Sequence, residues 1–216
     1  MMSQTDFVQR PSIAVWLVNL FTSAERGESI LGDLIEEYSH LASKSGVVVA
    51  RRWYWRQTAK TVAHLAATGF RAAPWATTAV VVVGFLLLRF VSGLPERAIF
   101  AVLERYRVFD YHFHTYVFFA TDGIAIGRAI TSILGGCAVA LAAKGREMVA
   151  TMMVSLAFGV LAGVAILVLL AWGRPLFLWT LPWQFADWIA IVVGGAIVRT
   201  HRLAATTRFT GAQIYP

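Results

Sequence analysis

The sequence predicts an all-α integral membrane protein: a four-helix bundle in the bilayer, preceded by a small N-terminal cytoplasmic helical domain. Three observations predict it. Hydrophobic residues make up 58% of the chain and charged residues only 14%, whereas soluble domains carry roughly 25% charged residues. Long apolar stretches dominate the chain after residue 72, each near the ~20 residues that cross a hydrocarbon core. The residues before them are amphipathic at helical spacing instead. The expected division is residues 1–71 as the cytoplasmic domain, 72–200 as the transmembrane domain and 201–216 as a cytoplasmic tail.

In the first domain Pro11 can start a helix, and Ile13, Val15, Trp16, Val18 and Leu20 make that helix apolar. Ile13 to Phe21 is too short to span a bilayer. No small-residue cleavage site follows it, so no signal peptide is expected. Ser23 fits an N-cap, with Glu25 favoured by the helix dipole in the next first turn. Ile30, Leu31, Leu34, Ile35, Tyr38 and Leu41 then form one apolar face, with Asp33, Glu36, Glu37 and His40 on the other side. Ser45-Gly46 should end this helix. A third helix is expected from about Val47 to Thr68, where Arg52, Arg56 and Lys60 form a basic row flanked by Trp53 and Trp55. Such a row suits an anionic membrane surface. It equally suits pairing of Arg52 or Arg56 with Glu36 or Glu37, worth ~0–1 kcal/mol per exposed pair.

The expected spans are about 75–91, 118–143, 148–172 and 183–198. The first contains Val80 to Val83 and Leu86 to Leu88, and the third carries no charge. Between the first two, Pro95 to His114 reads as an external amphipathic segment with Ile99, Phe100, Leu103, Tyr106 and Val108 against the bilayer. Orientation follows the excess of Lys and Arg on the cytoplasmic side. Arg51, Arg52, Arg56, Lys60 and Arg71 precede span one, Lys144 and Arg146 join spans two and three, and Arg199, Arg202 and Arg208 follow span four. Opposite them, Arg97, Arg105 and Arg107 are balanced by Glu96, Glu104 and Asp110, with Arg174 beyond. Both termini are thus expected in the cytoplasm.

The formal charge of +7 does not point to nucleic acid, because the cations stand beside hydrophobic spans, where anionic lipid and topology account for them. Membrane lipid is the expected partner. Cys137 is the only cysteine, which excludes an intrachain disulfide and a cysteine-based zinc site. Among its small neighbours an inert buried thiol is expected.

Arg89, Asp122, Arg128 and Asp187 are ionisable residues in or near spans, where charge is expensive and marks function by default. They can form a polar cluster in the outer half of the membrane. Alternatively, Asp122 sits at the interface, span two begins near Ile124, and Arg128 snorkels outward or makes a structural ion pair. Asp110, His112 and His114 supply too few ligands for a metal site, and neither metal nor cofactor is predicted. Gly159 and Gly163 form a G-x-x-x-G pattern, with further notches at Gly135-Gly136 and Gly194-Gly195. These favour close packing within the bundle, although a homo-oligomer is compatible with them. No phosphate-binding glycine loop and no Ser-His-Asp set is visible, and His64 reads as a surface residue.

Two motifs carry a resemblance. Gly32-Asp33-Leu34-Ile35-Glu36-Glu37-Tyr38, followed after a short stretch by Trp53-Tyr54-Trp55-Arg56-Gln57, resembles the bacterial permease prefix domain. That helical module precedes the first span of macrolide-exporter-type ABC permeases, and the likeness covers roughly residues 15 to 70, about a quarter of the chain. It implies a cytoplasmic interaction module of a transport protein, acting through Asp33, Glu36, Glu37, Tyr38, Trp53, Trp55 and Arg56. The family supplies no catalytic residues to carry over. Unlike those permeases, this chain has only about two dozen residues between spans one and two, and no nucleotide-binding domain. It therefore reads as a stand-alone, non-enzymatic accessory or regulatory component of an ABC-type export system. The plainer reading of the same residues is a hairpin core made by Leu34, Ile35, Tyr38, Trp53 and Trp55, with Gly32 allowing close packing. A small oligomeric transporter built on Arg89, Asp122, Arg128 and Asp187 is the alternative function.

Overall fold

The computed structural model describes residues 12–22, 24–173 and 181–211, with side chains except at 12, 24–25, 181–184 and 206–211. Every regular element among these residues is helical. The expectations placed on Pro11, Ser23 and Arg174 and on the side chains of Glu25, Trp183 and Arg208 lie outside what is described. The chain divides into two compact units, one of Met1–Ala73 with Ala205–Pro216, the other of Pro74–Ala204.

The first unit is built from α1 (Ser12–Phe21), α2 (Ala24–Ser45) and α3 (Val47–Ala72). The apolar stripe of α2 meets α3 over a core of Ala14, Leu34, Tyr38, Ala50 and Tyr54. Tyr38 and Tyr54 pack edge to face with ring centroids 5.6 Å apart, the arrangement that the aromatic quadrupole favours. Gly46 turns α2 into α3 at φ 88°, a left-handed conformation that glycine adopts without a Cβ penalty. Gly32 does not serve close packing: it is exposed, and a Cβ there would meet nothing within 4 Å. Gly27 fills that role, since a Cβ on it would stand 3.3 Å from Thr22 Cγ2 and closer still to the side-chain oxygen of Asn19.

In the second unit α4 (Pro74–Val91) runs through a short Ser92-Gly93 turn into α5 (Leu94–Arg105). Two short helices follow, α6 (Val108–Tyr111) and α7 (Phe113–Phe118), and then a π-helical turn at Phe119–Gly123 leads into α8 (Ile124–Ala142). At that turn the Thr121 hydroxyl donates to the Val117 carbonyl at 2.7 Å, the kind of back-bonding that loosens a helix locally. The bundle is completed by α9 (Glu147–Ala171) and α10 (Leu181–Gly211). Four stretches, Pro74–Arg105, Phe113–Ala142, Glu147–Ala171 and Phe185–Ala205, are long and apolar enough to cross a membrane. Leu86, Leu134, Leu156, Leu167 and Ile189 stand exposed on their outward faces. Such a surface would aggregate in water, so the protein is a multi-pass integral membrane protein.

The segment expected to lie on the bilayer between spans one and two is more closely tied in. Leu103 of α5 is buried, and a Cβ on Gly127 of α8 would stand 2.8 Å from Pro95. Thus α5 folds back against α8, while Val102 and Tyr106 remain exposed. The last helix is longer than the expected span, continuing to Gly211 through residues expected as tail.

The bundle core joins Leu88, Val139, Ala143, Ala150, Val154 and Ile191. Glycines set how closely the helices cross. A Cβ on Gly136 would strike the Ile191 carbonyl, and one on Gly194 would lie 2.8 Å from Cys137 N and closer to the Ile133 carbonyl. At this α8–α10 crossing backbone meets backbone, and the Cys137 thiol donates to the Gly194 carbonyl at 3.3 Å. Gly84 and Gly135 similarly admit Val139 and Leu88. The G-x-x-x-G pair of α9 behaves otherwise. A Cβ on Gly159 would stand 3.6 Å from the Trp188 ring, but one on Gly163 would meet nothing within 4 Å, so Gly163 does not pack inside the bundle.

Candidate functional site

The motif residues of the first unit separate cleanly by exposure. Tyr38 is buried, Trp53 and Trp55 are half-buried against the core, and Asp33, Glu36, Glu37 and Arg56 are exposed. Spacing explains this: positions 33, 36, 37 and 40 recur three or four residues apart and share one helix face, opposite the stripe that carries Leu34 and Tyr38. Arg52, Arg56 and Lys60 make a second exposed row on α3. No ion pair joins the two rows among the described residues, whose ion pairs all fall in the second unit. The pairing expected between Glu36 or Glu37 and Arg52 or Arg56 is therefore absent there. Both charge rows keep their full capacity for water or a partner.

In the second unit the intramembrane charges part company. Arg128 Nη2 donates to Asp187 Oδ2 at 2.6 Å, linking α8 to α10. Ser132, one turn further along α8 and buried, lines the same cavity as this pair. Arg128 therefore pairs inward instead of snorkelling. Asp122 stands apart: it lies exposed on the π-helical turn, with no ion pair among the described residues. Arg89, in the last turn of α4, is exposed and makes no ion pair among the described residues, yet it belongs to the same site as Arg128 and Asp187. All three line a cavity of about 380 Å³ among α4, α8, α9 and α10. Its polar wall is completed by Ser92 and Ser132, and its apolar wall is made by Phe158, Leu161, Ala162, Ala165 and Trp188.

A third polar site is one that the sequence pattern does not announce. Glu147 begins α9, so the third span carries a charge that its apolar run conceals. Its side chain is only 2% exposed. Arg202 Nη1 donates to Glu147 Oε1, and Arg199 Nη1 lies 3.6 Å from Oε2. The Gly145 N–H adds a 3.1 Å bond to Oε1. Arg202 also reaches the Leu141 carbonyl at 3.5 Å, so the Glu147–Arg202 pair ties α8, α9 and α10 together. The available sequence signal is the Arg199–Arg202 spacing, which puts both cations on one helix face. Read only as topology charges, they give no hint of a buried acid between them.

Asp110 pairs with Arg107 at 3.9 Å on the surface, and His112 and His114 are exposed. Among the described residues no group of three or more His, Cys, Asp or Glu could hold a metal ion. His64 lies exposed on α3. Comparison with known proteins finds no matching family model, no similar curated protein and no similar solved structure.

Proposed function

We propose that this membrane protein is a non-enzymatic accessory or regulatory component of an ABC-type export system, and that its first unit is a permease-prefix-like interaction module. The supporting observation is the division of labour within the motif pair. Its aromatic members hold the hairpin core, while Asp33, Glu36, Glu37 and Arg56 are exposed, with no ion pair in the unit among the described residues. Charges held on a rigid helical hairpin and left unpaired steer and register a charged partner more than they stabilise their own fold. In this reading both termini lie in the cytoplasm of a bacterial inner membrane, where the positive-inside rule places Lys144, Arg146, Arg199 and Arg202. Glu147 does not disturb that orientation, because the rule counts Lys and Arg and acids contribute little. The test is affinity purification of the full chain from native membranes. Glu36→Lys and Arg56→Glu should each remove a co-purifying permease while leaving the melting temperature unchanged. An unaltered partner set in both variants would refute the reading.

A second reading, a small oligomeric transporter, draws on the cavity holding Arg89, Arg128 and Asp187. It predicts liposome flux that falls with Arg128→Ala and with Asp187→Asn. Flux unaffected by both changes removes it.

A further inference from the structure

We propose that the cavity among α4, α8, α9 and α10 is a binding site for the headgroup of an anionic phospholipid. Three features select that ligand. The first is charge. Arg89 and Arg128 line the cavity with one carboxylate, Asp187, so the site keeps one uncompensated positive charge and calls for an anion. The second is donor capacity. A guanidinium carries five N–H donors, and Arg128 uses one of them on Asp187. Its remaining donors and those of Arg89 border the same space, whereas the Ser92 hydroxyl already donates to the Arg89 carbonyl at 3.2 Å. Arg presents these donors in a planar fork that matches phosphate oxygens.

The third feature is the division of the wall. One side is polar, and the other is the apolar surface of Phe158, Leu161, Ala162, Ala165 and Trp188. Leu161 and Ala165 are themselves exposed at the surface of α9, so the cavity opens sideways through an apolar rim. A free anion has no use for that rim, whereas a phosphodiester with acyl chains fills both walls at once. Arg89 stands in the last turn of α4, and a basic pocket between spanning helices is suited to an anionic headgroup through the same charge-assisted hydrogen bonds. This site requires neither the export association nor transport, so its failure would leave those readings standing.

The full chain should be reconstituted in nanodiscs containing equal parts phosphatidylglycerol and phosphatidylcholine, then released for native mass spectrometry. Retained phosphatidylglycerol should exceed phosphatidylcholine by about tenfold, the worth of one charge-assisted hydrogen bond. Arg89→Gln should abolish that preference. Arg97→Gln, which removes an exposed cation of α5 outside the cavity, should preserve it. Equal retention of both lipids by the unaltered chain overturns the proposal, as does a preference that survives Arg89→Gln. Displacement of the lipid by inorganic phosphate alone would also overturn it, because the apolar wall would then contribute nothing.

Discussion

The two ends of the bundle's last apolar stretch, Phe185–Ala205, hold their charges in opposite ways. Near one end Glu147 is closed off by Arg199, Arg202 and a backbone N–H, with its side chain 2% exposed. Near the other, Asp187 holds Arg128 beside an open cavity, and the arginine side chain remains 39% exposed. Asp187 and Arg199 are about 18 Å apart along α10 at 1.5 Å per residue, so the two sites are separated by about three helical turns. The closed site has matched its carboxylate with more donors than one ion pair supplies. The open site has donors left over. A saturated ion cluster fastens helices, and an unsaturated one can bind something else.

The sharpest way to break this comparison is at the closed end. Removing one partner of a buried ion pair costs about 3–5 kcal/mol, because the remaining charge is stranded. Arg199 and Arg202 are partly exposed and can turn toward water, so Glu147→Ala should cost about 3 kcal/mol, the low end of that range. This corresponds to a melting temperature lower by roughly 10 °C for a chain of this size. Glu147→Gln should lose less, since an amide oxygen still accepts from Gly145. A melting curve in detergent that does not move with Glu147→Ala would mean that the cluster fastens nothing.

Between the two ends lies the α8–α10 crossing, which both sites presuppose. Gly194→Ala should cost about 1–3 kcal/mol, the range for overpacking. The new methyl group would meet the Ile133 carbonyl and Cys137 N, backbone atoms that cannot turn aside. Gly163→Ala is the matched control. It meets nothing and should be neutral or stabilising by up to ~1 kcal/mol through helix propensity. Equal melting temperatures for the two variants would show that the crossing is not closely packed.

How much of this can be read from the sequence follows from what each feature depends on. The spans, the α2–α3 hairpin and the turn at Gly46 are local, written in hydropathy, helical spacing and a single glycine. The exposure of Asp33, Glu36 and Glu37 follows from the same periodicity. The glycine pattern is only half legible. Gly135-Gly136 and Gly194-Gly195 are notches as expected, but Gly32 and Gly163 face open space, because one helix does not reveal where its neighbour lies. Glu147 escapes notice for a related reason. It sits one residue ahead of an apolar run, where it resembles an ordinary first-turn acid, and its arginines come more than fifty residues later. Arg128 and Asp187 stand out because charge within an apolar run is conspicuous wherever it pairs. That Asp122 is left out depends on the π-helical turn, which no residue pattern announces.

The open end should respond less than the closed one. Asp187→Asn removes a charge, yet Arg128 is exposed enough to find water or lipid phosphate. The expected loss is therefore about 1 kcal/mol, near the upper limit for a partly solvated pair. If the loss matched that of Glu147→Ala, the open site would be as structural as the closed one.

The smallest stability change, and the one that separates the two ends most clearly, is expected for Arg89→Gln. Arg89 is exposed and makes no ion pair among the described residues, so its removal should shift stability by no more than ~0.5 kcal/mol, as for most surface substitutions. It nevertheless lines the same cavity as the Arg128–Asp187 pair. A charge that contributes little to the fold and stands at a polar cavity is free to serve a ligand there. Thermal melts of the lipid-free protein measure the first half of that statement. A fall in melting temperature as large as that of Asp187→Asn would make Arg89 a structural member of the site, and the contrast between the two ends of Phe185–Ala205 would reduce to a difference in solvent exposure.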